Sequence, residues 1–192
     1  MRRFAARFLL ALLGGSLALA CNDGTSTSPT DAVQPAFKAG GRSGFGFNGS
    51  VKGFHTGEVR LTGGGSFDPA TANNTVPTPT SVASAGGFDC TLAIAQGPLT
   101  GCARDEGVRW DTAQLLASNT FKCTASEAAR PATTDDHTAV LLADFYRAGD
   151  GDEESFTAQM IVTERDLDDE IPGVQNLWVQ GVGCGTAIVH FN

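Results

Sequence analysis

The stretch Ser155-Phe-Thr-Ala-Gln-Met-Ile-Val-Thr-Glu-Arg165 alternates apolar and polar side chains with a period of two. This period is typical of a half-buried β-strand, and only Ile161 breaks it. The preceding run 139–147 is apolar on both sides, which predicts a central strand covered on both faces. Because the residues between the two runs are rich in Gly and Asp, we expect the runs to form a hairpin.

Shorter stretches of the same type recur between connections rich in Gly and Pro. Residues 57–62 alternate, and the three glycines at 63–65 predict a turn after them. The run 176–191 is too long for one straight strand, so its glycines indicate a bulge, a bend or a close approach of another backbone. Residues 111–118 favour a short helix that begins with a capping box. Together these signals predict an all-β protein, either an antiparallel β-sandwich or a small barrel, with two disulfides and at most one short helix.

The composition fits one folded domain and argues against some classes of partner. The chain has 192 residues, of which 41% are hydrophobic and 18% are charged, so it can bury a core. Its formal net charge at pH 7 is −8. This acidity argues against nucleic acid and against anionic membrane surfaces as partners.

The N-terminal part divides into segments that precede the folded domain. Residues 1–7 are basic, and the apolar run 8–20 would span roughly 20 Å as a helix, which is less than the ~30 Å core of a bilayer. We therefore interpret residues 1–20 as a signal peptide. Residues 21–44 are rich in Gly, Ser, Thr and Pro and are expected to form a flexible tether, and residues 45–192 to form the globular β domain.

The segment Ala18-Leu19-Ala20-Cys21 lies at the end of the apolar run. A small residue followed by Cys resembles the lipobox of bacterial lipoproteins, and the resemblance is limited to the signal peptide, this motif and the tether. It implies that Cys21 is acylated, for example with palmitate, and that the exported protein is anchored to a membrane of the cell envelope. Because Ala-x-Ala also suits ordinary signal peptidase, simple secretion is the alternative.

The number of cysteines supports an acylated Cys21. Five cysteines are an odd number, and if Cys21 carries a lipid, the other four can form two disulfides outside the reducing cytosol. Of three possible connectivities, we prefer Cys90–Cys102 together with Cys123–Cys184, because Gly and Pro can turn the chain between the first two cysteines. The spacings include no pair typical of a zinc site.

Calcium is the one cofactor that the sequence suggests. Carboxylates at alternate positions of a turn, at Asp150, Asp152 and Glu154, are hard oxygen ligands of the kind Ca²⁺ prefers. A second acidic cluster covers residues 166–170. Neither cluster fits the EF-hand pattern, and a solvated hairpin tip is the alternative explanation for the first one.

No catalytic motif is evident in the sequence. The histidines His55, His137 and His190 are far apart along the chain, and of these His137, in Asp135-Asp136-His137, could serve a metal site or act as a general base. Ser66 lies in a stretch that begins like a nucleophile elbow but ends in Asp.

The two tryptophans could stack on a sugar or peptide if they were exposed. Buried tryptophan is the commoner case in a small β domain, and we expect it for Trp110 and Trp178. The stretches 109–111 and 144–147 each combine charged residues with an aromatic one, which suggests strand-end ion pairs or a recognition patch.

Taken together, these observations favour a non-enzymatic binding or structural domain of the cell envelope, with a protein or a small molecule as its partner. The first alternative is an envelope hydrolase that uses Asp and His groups. It would need a pocket in which His137 or His190 meets two or more carboxylates. The second alternative is a calcium-stabilised adhesion-like module.

Removal of calcium tests the metal prediction. If Asp150, Asp152 and Glu154 hold Ca²⁺, the folded state gains the binding free energy, and EDTA should lower the melting temperature. The measurement is a thermal unfolding curve in the presence of CaCl₂ and in the presence of EDTA. An unchanged midpoint would remove calcium from consideration.

Overall fold

The computed structural model describes residues 41–75, 78–147 and 155–192. Over these residues the protein is all-β, as predicted, with a single turn of 3-10 helix at Pro69–Thr71. The strands, in chain order, are β1 (Ser43–Gly53), β2 (Glu58–Phe67), β3 (Val82–Leu92), β4 (Arg109–Leu115), β5 (Ser118–Phe121), β6 (Arg130–Thr133), β7 (Thr138–Tyr146), β8 (Ser155–Thr163), β9 (Leu177–Val179), β10 (Gly183–Gly185) and β11 (Ala187–Phe191).

Nine of these strands form one antiparallel sheet that closes on itself. Their order is β10-β9-β8-β7-β4-β3-β2-β1-β11, and β10 pairs in addition with β1, where Lys52 lies opposite Cys184. β10 and β11 follow each other along the same edge of β1, so the two ends of the sheet meet there. This closure corresponds to the small barrel among the two predicted architectures, and it leaves few strand edges exposed.

The interior of the closed sheet is the main hydrophobic core. The predicted β7–β8 hairpin is confirmed, and Ala158, Met160 and Val162 of β8 all point into this core. Ile161, the one exception to the alternation, belongs to a second core on the other side of the sheet. Val140 of β7 also belongs to the second core, so the prediction that β7 is covered on both faces is confirmed.

The second core lies beneath a separate hairpin made of β5 and β6. Phe121 and Ala132 of this hairpin belong to the same buried cluster as Ile161 and Trp178. The indole nitrogen of Trp178 donates a hydrogen bond to the carbonyl oxygen of Lys122 over 2.8 Å. The hairpin therefore supplies the apolar cover that makes both faces of β7 and β8 hydrophobic.

Two disulfides link the connections to the sheet, and they are the two pairs preferred from the sequence. Cys90 of β3 bonds to Cys102, with Cα atoms 6.3 Å apart. Cys123, which follows β5, bonds to Cys184 of β10, with Cα atoms 4.6 Å apart. By the loop-entropy estimate, each such bridge contributes about 3–4 kcal/mol to the free energy of unfolding.

The prediction of a short helix at 111–118 is wrong, because these residues lie mainly in β4. Trp110 is fully buried in the main core, and the strand pairs with β3 and β7 on either side. The register shifts between Thr112 and Gln114, which is the sign of a β-bulge. Beyond the bulge, Leu115 enters the main core and Leu116 enters the second core, so the consecutive apolar residues do not require a helix.

The prediction of a turn at 63–65 is also wrong. These glycines lie within β2 and pair with β1 on one side and with β3 on the other. Gly63 lies opposite Gly86, which in turn lies opposite Trp110. A Cβ at Gly63 would overlap the indole ring of Trp110, and a Cβ at Gly86 would overlap the carbonyl oxygen of Thr62. The two glycines thus leave room for the indole, whose nitrogen donates to that same Thr62 oxygen over 3.0 Å.

The glycines of the run 176–191 mark a reversal and a close approach, as predicted. Gly181 has a φ of +81° in the turn between β9 and β10. A Cβ at Gly183 or at Gly185 would overlap a backbone carbonyl oxygen of β1. The lack of side chains here allows β10 to lie against β1 and complete the sheet.

Two neighbouring glycines of β3 provide a matched test of this packing. We expect Gly86→Ala to lower the free energy of unfolding by about 1–3 kcal/mol, because the methyl group has no space beside Thr62 and Trp110. Gly87→Ala should change stability much less than Gly86→Ala, because a Cβ at Gly87 needs only a movement of a few tenths of an ångström by the exposed Thr62 hydroxyl. Urea unfolding measures both variants, and equal effects would contradict the packing described.

Candidate binding groove

A row of outward-facing residues crosses five neighbouring strands from β11 to β4. From β11 to β4 the row consists of Ile188, Asn48, Thr62, Gly87 and Arg109. Each of these residues lies directly opposite the next one on the neighbouring strand. The residues on either side of Asn48, Thr62 and Gly87 along the chain include Phe47, Leu61 and Phe88, which point into the main core. The row therefore belongs to the outer face of the closed sheet.

A groove of about 300 Å³ opens on this outer face, and we call it the outer-face groove. Gly87 and Thr62 are paired at its floor. Asn48 lines it on the β1 side and Val108 on the β4 side. Arg60 and Asp89 line it from the next row, and Phe88 completes the lining.

Gly87 keeps the outer-face groove open. A Cβ there would meet the hydroxyl of Thr62 at 3.3 Å and the carbonyl oxygen of Val108 at 3.6 Å, so a small side chain would fit after a slight movement of the hydroxyl. Glycine inside a strand costs roughly 0.5–1 kcal/mol relative to alanine. At Gly63 and Gly86 a glycine is needed because a side chain would overlap the buried indole of Trp110. At Gly87 the absence of a side chain instead leaves the space that forms the groove.

The side chains of the outer-face groove offer hydrogen-bond donors and acceptors with balanced charge. Arg60 and Asp89 form an ion pair in which Nη2 and Oδ2 are 3.6 Å apart. Asn48 and Thr62 are neutral and exposed, and each carries both a donor and an acceptor. Val108 and Ile188 are large apolar side chains that are 52% and 80% exposed on either side of these polar groups. Convergent polar groups beside apolar surface are typical of a small-ligand site.

His137 lies outside the outer-face groove, in the connection between β6 and β7. Its Nδ1 is 2.9 Å from the carboxylate of Glu164, and its backbone N–H donates to Asp135. Asp135 in turn pairs with Arg165 over 2.5 Å. Burial raises the pKa of Asp135, but the hydrogen bonds from Arg165 and from the His137 backbone outweigh it and hold the pKa below its usual value. The imidazole of His137 thus has one carboxylate partner in the described part of the chain, where the hydrolase hypothesis requires two.

His55, His190, Trp110 and Trp178 also do not line the outer-face groove. The imidazole of His190 lies over Gly46 on the outer face, and His55 is exposed between β1 and β2. Trp110 and Trp178 are buried, so neither is available to stack on a ligand. Beside Trp110, the guanidinium of Arg109 stacks on the ring of Tyr146 at 4.4 Å.

The residues proposed for calcium, Asp150, Asp152 and Glu154, lie outside the described residues. In the second acidic cluster, the Oδ1 atom of Asp166 accepts hydrogen bonds from the backbone N–H groups of Asp168 and Gln175. The carboxylate of Asp166 therefore stabilises the loop between β8 and β9 through hydrogen bonds to its backbone.

Elsewhere in the described chain, Cys123, Glu127 and Asp168 place possible metal ligands within 4.8 Å of one another. Cys123 is part of a disulfide and offers no thiolate. Asp168 is 99% buried and pairs with Arg130 over 2.7 Å. The geometry therefore describes an ion pair that connects β6 to the loop after β8, rather than a metal centre.

Arg130 and Glu170 determine the protonation of Asp168. Burial alone raises the pKa of this carboxyl group. The hydrogen bond from Arg130 and that from the backbone N–H of Glu170 outweigh burial, and the pKa lies below its usual value. The folded state therefore favours the ionised form of Asp168.

Comparison with known proteins gives no relative for this chain. No family model, no curated protein and no solved structure matches it. Among the described residues, no helix has the length and apolar character needed to cross a membrane. The candidate site therefore rests on the geometry of this chain.

The lowered pKa of Asp168 predicts a pH dependence of stability. A carboxyl group with a lowered folded-state pKa stabilises the protein above its unfolded-state pKa of about 4, and this stabilisation is lost as the pH falls through the lower folded-state pKa. We expect Asp168→Asn to lower the melting temperature at pH 7 and to flatten its decrease below about pH 4. Asp169→Asn, at an exposed neighbouring position, is the control. Thermal unfolding from pH 7 to pH 2 measures both, and identical profiles would refute the role of Asp168.

Proposed function

We propose that this chain is an exported, lipid-anchored binding domain of the cell envelope that holds its ligand in the outer-face groove. The observation that carries the proposal is the pairing of the cysteines. The two disulfides use Cys90, Cys102, Cys123 and Cys184, which leaves only Cys21 of the five for a lipid. Cys21 is also the cysteine that follows the apolar N-terminal run.

Export agrees with the chemistry of these bridges. Disulfides form and persist in oxidising compartments and are rare in the cytosol. Cys90, Cys102, Cys123 and Cys184 are buried within the sheet or against it, where they act as structural crosslinks. Domains of this kind are common on the outside of the cell, which supports a location in the envelope.

A lipid anchor suits an acidic domain. The full chain has a net charge of −8, and removal of residues 1–20 also removes Arg2, Arg3 and Arg7, so an anionic membrane surface would repel the mature protein. A lipid on Cys21 would supply the membrane attachment that the charge of the domain does not, with the residues between Cys21 and β1 as the tether.

Binding explains the outer-face groove better than catalysis does. Its polar lining consists of an amide, a hydroxyl and one ion pair, which suit hydrogen bonding to a ligand. Covalent catalysis would require a nucleophile within hydrogen-bond reach of a base. In the described residues, the histidine with a carboxylate partner, His137, lies elsewhere and pairs with Glu164 alone.

The intact mass of the native protein tests the proposal. We expect a mature chain that begins at Cys21 and carries the added mass of fatty acyl chains. Reduction should add four hydrogen atoms, two for each disulfide. Cys21→Ser is the matched variant, because it removes the acylated thiol and leaves both bridges intact. It should move from the membrane fraction to the soluble fraction of the envelope.

Either of two results would contradict the proposal. A mature protein that still carries Met1 would show that no signal peptide is removed. A chain that begins at Cys21 without acyl mass, and fractionates as Cys21→Ser does, would instead indicate simple secretion.

A further inference from the structure

We propose that the outer-face groove binds a neutral oligosaccharide, which lies across the strands along the row from Ile188 to Arg109. This inference rests on the binding role proposed above and specifies the class of ligand. It is carried by the open floor at Gly87, by the balanced set of polar side chains and by the apolar residues on either side.

The charge of the groove favours a neutral ligand. Arg60 and Asp89 are paired, so together they contribute no net charge. Arg109, at the β4 end of the row, does not line the groove, and its guanidinium lies over the ring of Tyr146. Asn48 and Thr62 are uncharged. The protein as a whole is acidic, which disfavours an anionic ligand over longer distances. A neutral ligand therefore loses no charge solvation and meets no repulsion at this surface.

The side chains fit a ligand that carries many hydroxyl groups. Each hydroxyl of a sugar both donates and accepts a hydrogen bond, so a matching site must offer both functions. Asn48 and Thr62 each offer both, Arg60 offers donors and Asp89 offers acceptors. Within the described part of the chain, no hydrogen bond occupies the side chains of Asn48 or Thr62. These groups remain available to a ligand.

The surface beside the polar groups fits the C–H face of a sugar ring. Val108 and Ile188 expose apolar area on opposite sides of the floor. The row crosses five strands, and at ~4.8 Å between strands it is roughly 19 Å long. A linear chain of several rings can therefore contact the floor and both apolar residues at once.

The position of the groove on the face of the sheet disfavours an extended peptide. Peptides that bind β-sheets commonly add a strand to an exposed edge and use backbone hydrogen bonds. At the outer-face groove, the backbones of β1, β2 and β3 are already paired with each other. A ligand here must bind through side chains, as a sugar does.

Direct titration with neutral linear oligosaccharides tests the proposal. The probes are cellohexaose, chitohexaose, xylohexaose and maltohexaose, titrated calorimetrically into the mature, full-length protein in detergent micelles. We expect at least one of them to bind. Gly87→Val should weaken binding by about tenfold or more, because its side chain fills the floor. Asn48→Ala should also weaken binding.

Ala83→Val is the matched control. Ala83 is exposed on the same strand and on the same face as Gly87, but it does not line the groove. It should bind within about twofold of the wild type. Gly87→Val should remain folded, because its Cβ requires only a small movement of the exposed Thr62 hydroxyl and valine is favoured in strands. Its melting temperature is measured beside that of the wild type. A loss of binding in this variant would then reflect the filled groove.

Three outcomes would overturn the inference. If no hexasaccharide binds, the ligand class is wrong, and an acylated Cys21 in the same sample would show that the proposed anchoring still holds. If a hexasaccharide binds equally well to Gly87→Val and to the wild type, the outer-face groove is not the site. If only a neutral Ser-Gly decapeptide binds, and Gly87→Val abolishes that binding, the groove is a peptide site.

Discussion

The indole of Trp110 is the constraint that organises the closed sheet. It is fully buried in the main core, and its ring centroid lies 5.8 Å from that of Phe47 on the far side of the glycine pair. Such a large ring fits only because Gly63 and Gly86 have no side chains where it lies. A buried indole N–H also needs an acceptor, and the carbonyl oxygen of Thr62 supplies one. Thr62 therefore takes part in both features. Its carbonyl oxygen accepts the hydrogen bond from the buried indole, and its side chain lines the outer-face groove.

Among the described residues, a hairpin covers the outer face of the closed sheet over β7 and β8, whereas the outer face over β1, β2 and β3 is exposed. Over β7 and β8, the β5–β6 hairpin buries Ile161 and Trp178, and the Cys123–Cys184 bridge holds its end against β10. Over β1, β2 and β3, the outer positions are small or polar and remain exposed, as at Asn48 and Thr62. Apolar residues on both faces mark the covered strands, and polar outward residues mark the strands that present the groove.

The sequence predicted the parts of the fold that depend on local period and chemistry. The β7–β8 hairpin followed from alternation, and the second core explains why Ile161 departed from it. The strand at 109–115 was missed because its bulge places apolar residues in consecutive positions, as a helix would. The outer-face groove could not be predicted, because Asn48, Gly87 and Val108 are distant in the chain. They come together only through the register of β1, β2, β3 and β4.

Two NMR measurements on the indole N–H group test most directly whether Trp110 lies against Gly63 and Gly86. They are its hydrogen-exchange rate and its nuclear Overhauser contacts to nearby protons. Trp110→Phe assigns the indole signal, because Trp178 is the only other tryptophan. The Nε1–H of Trp110 should show contacts to the α-protons of both glycines and should exchange only when the whole domain unfolds. An indole proton that exchanges as fast as that of an exposed tryptophan, or that shows no contact to either glycine, would contradict this packing and the closed sheet built around it.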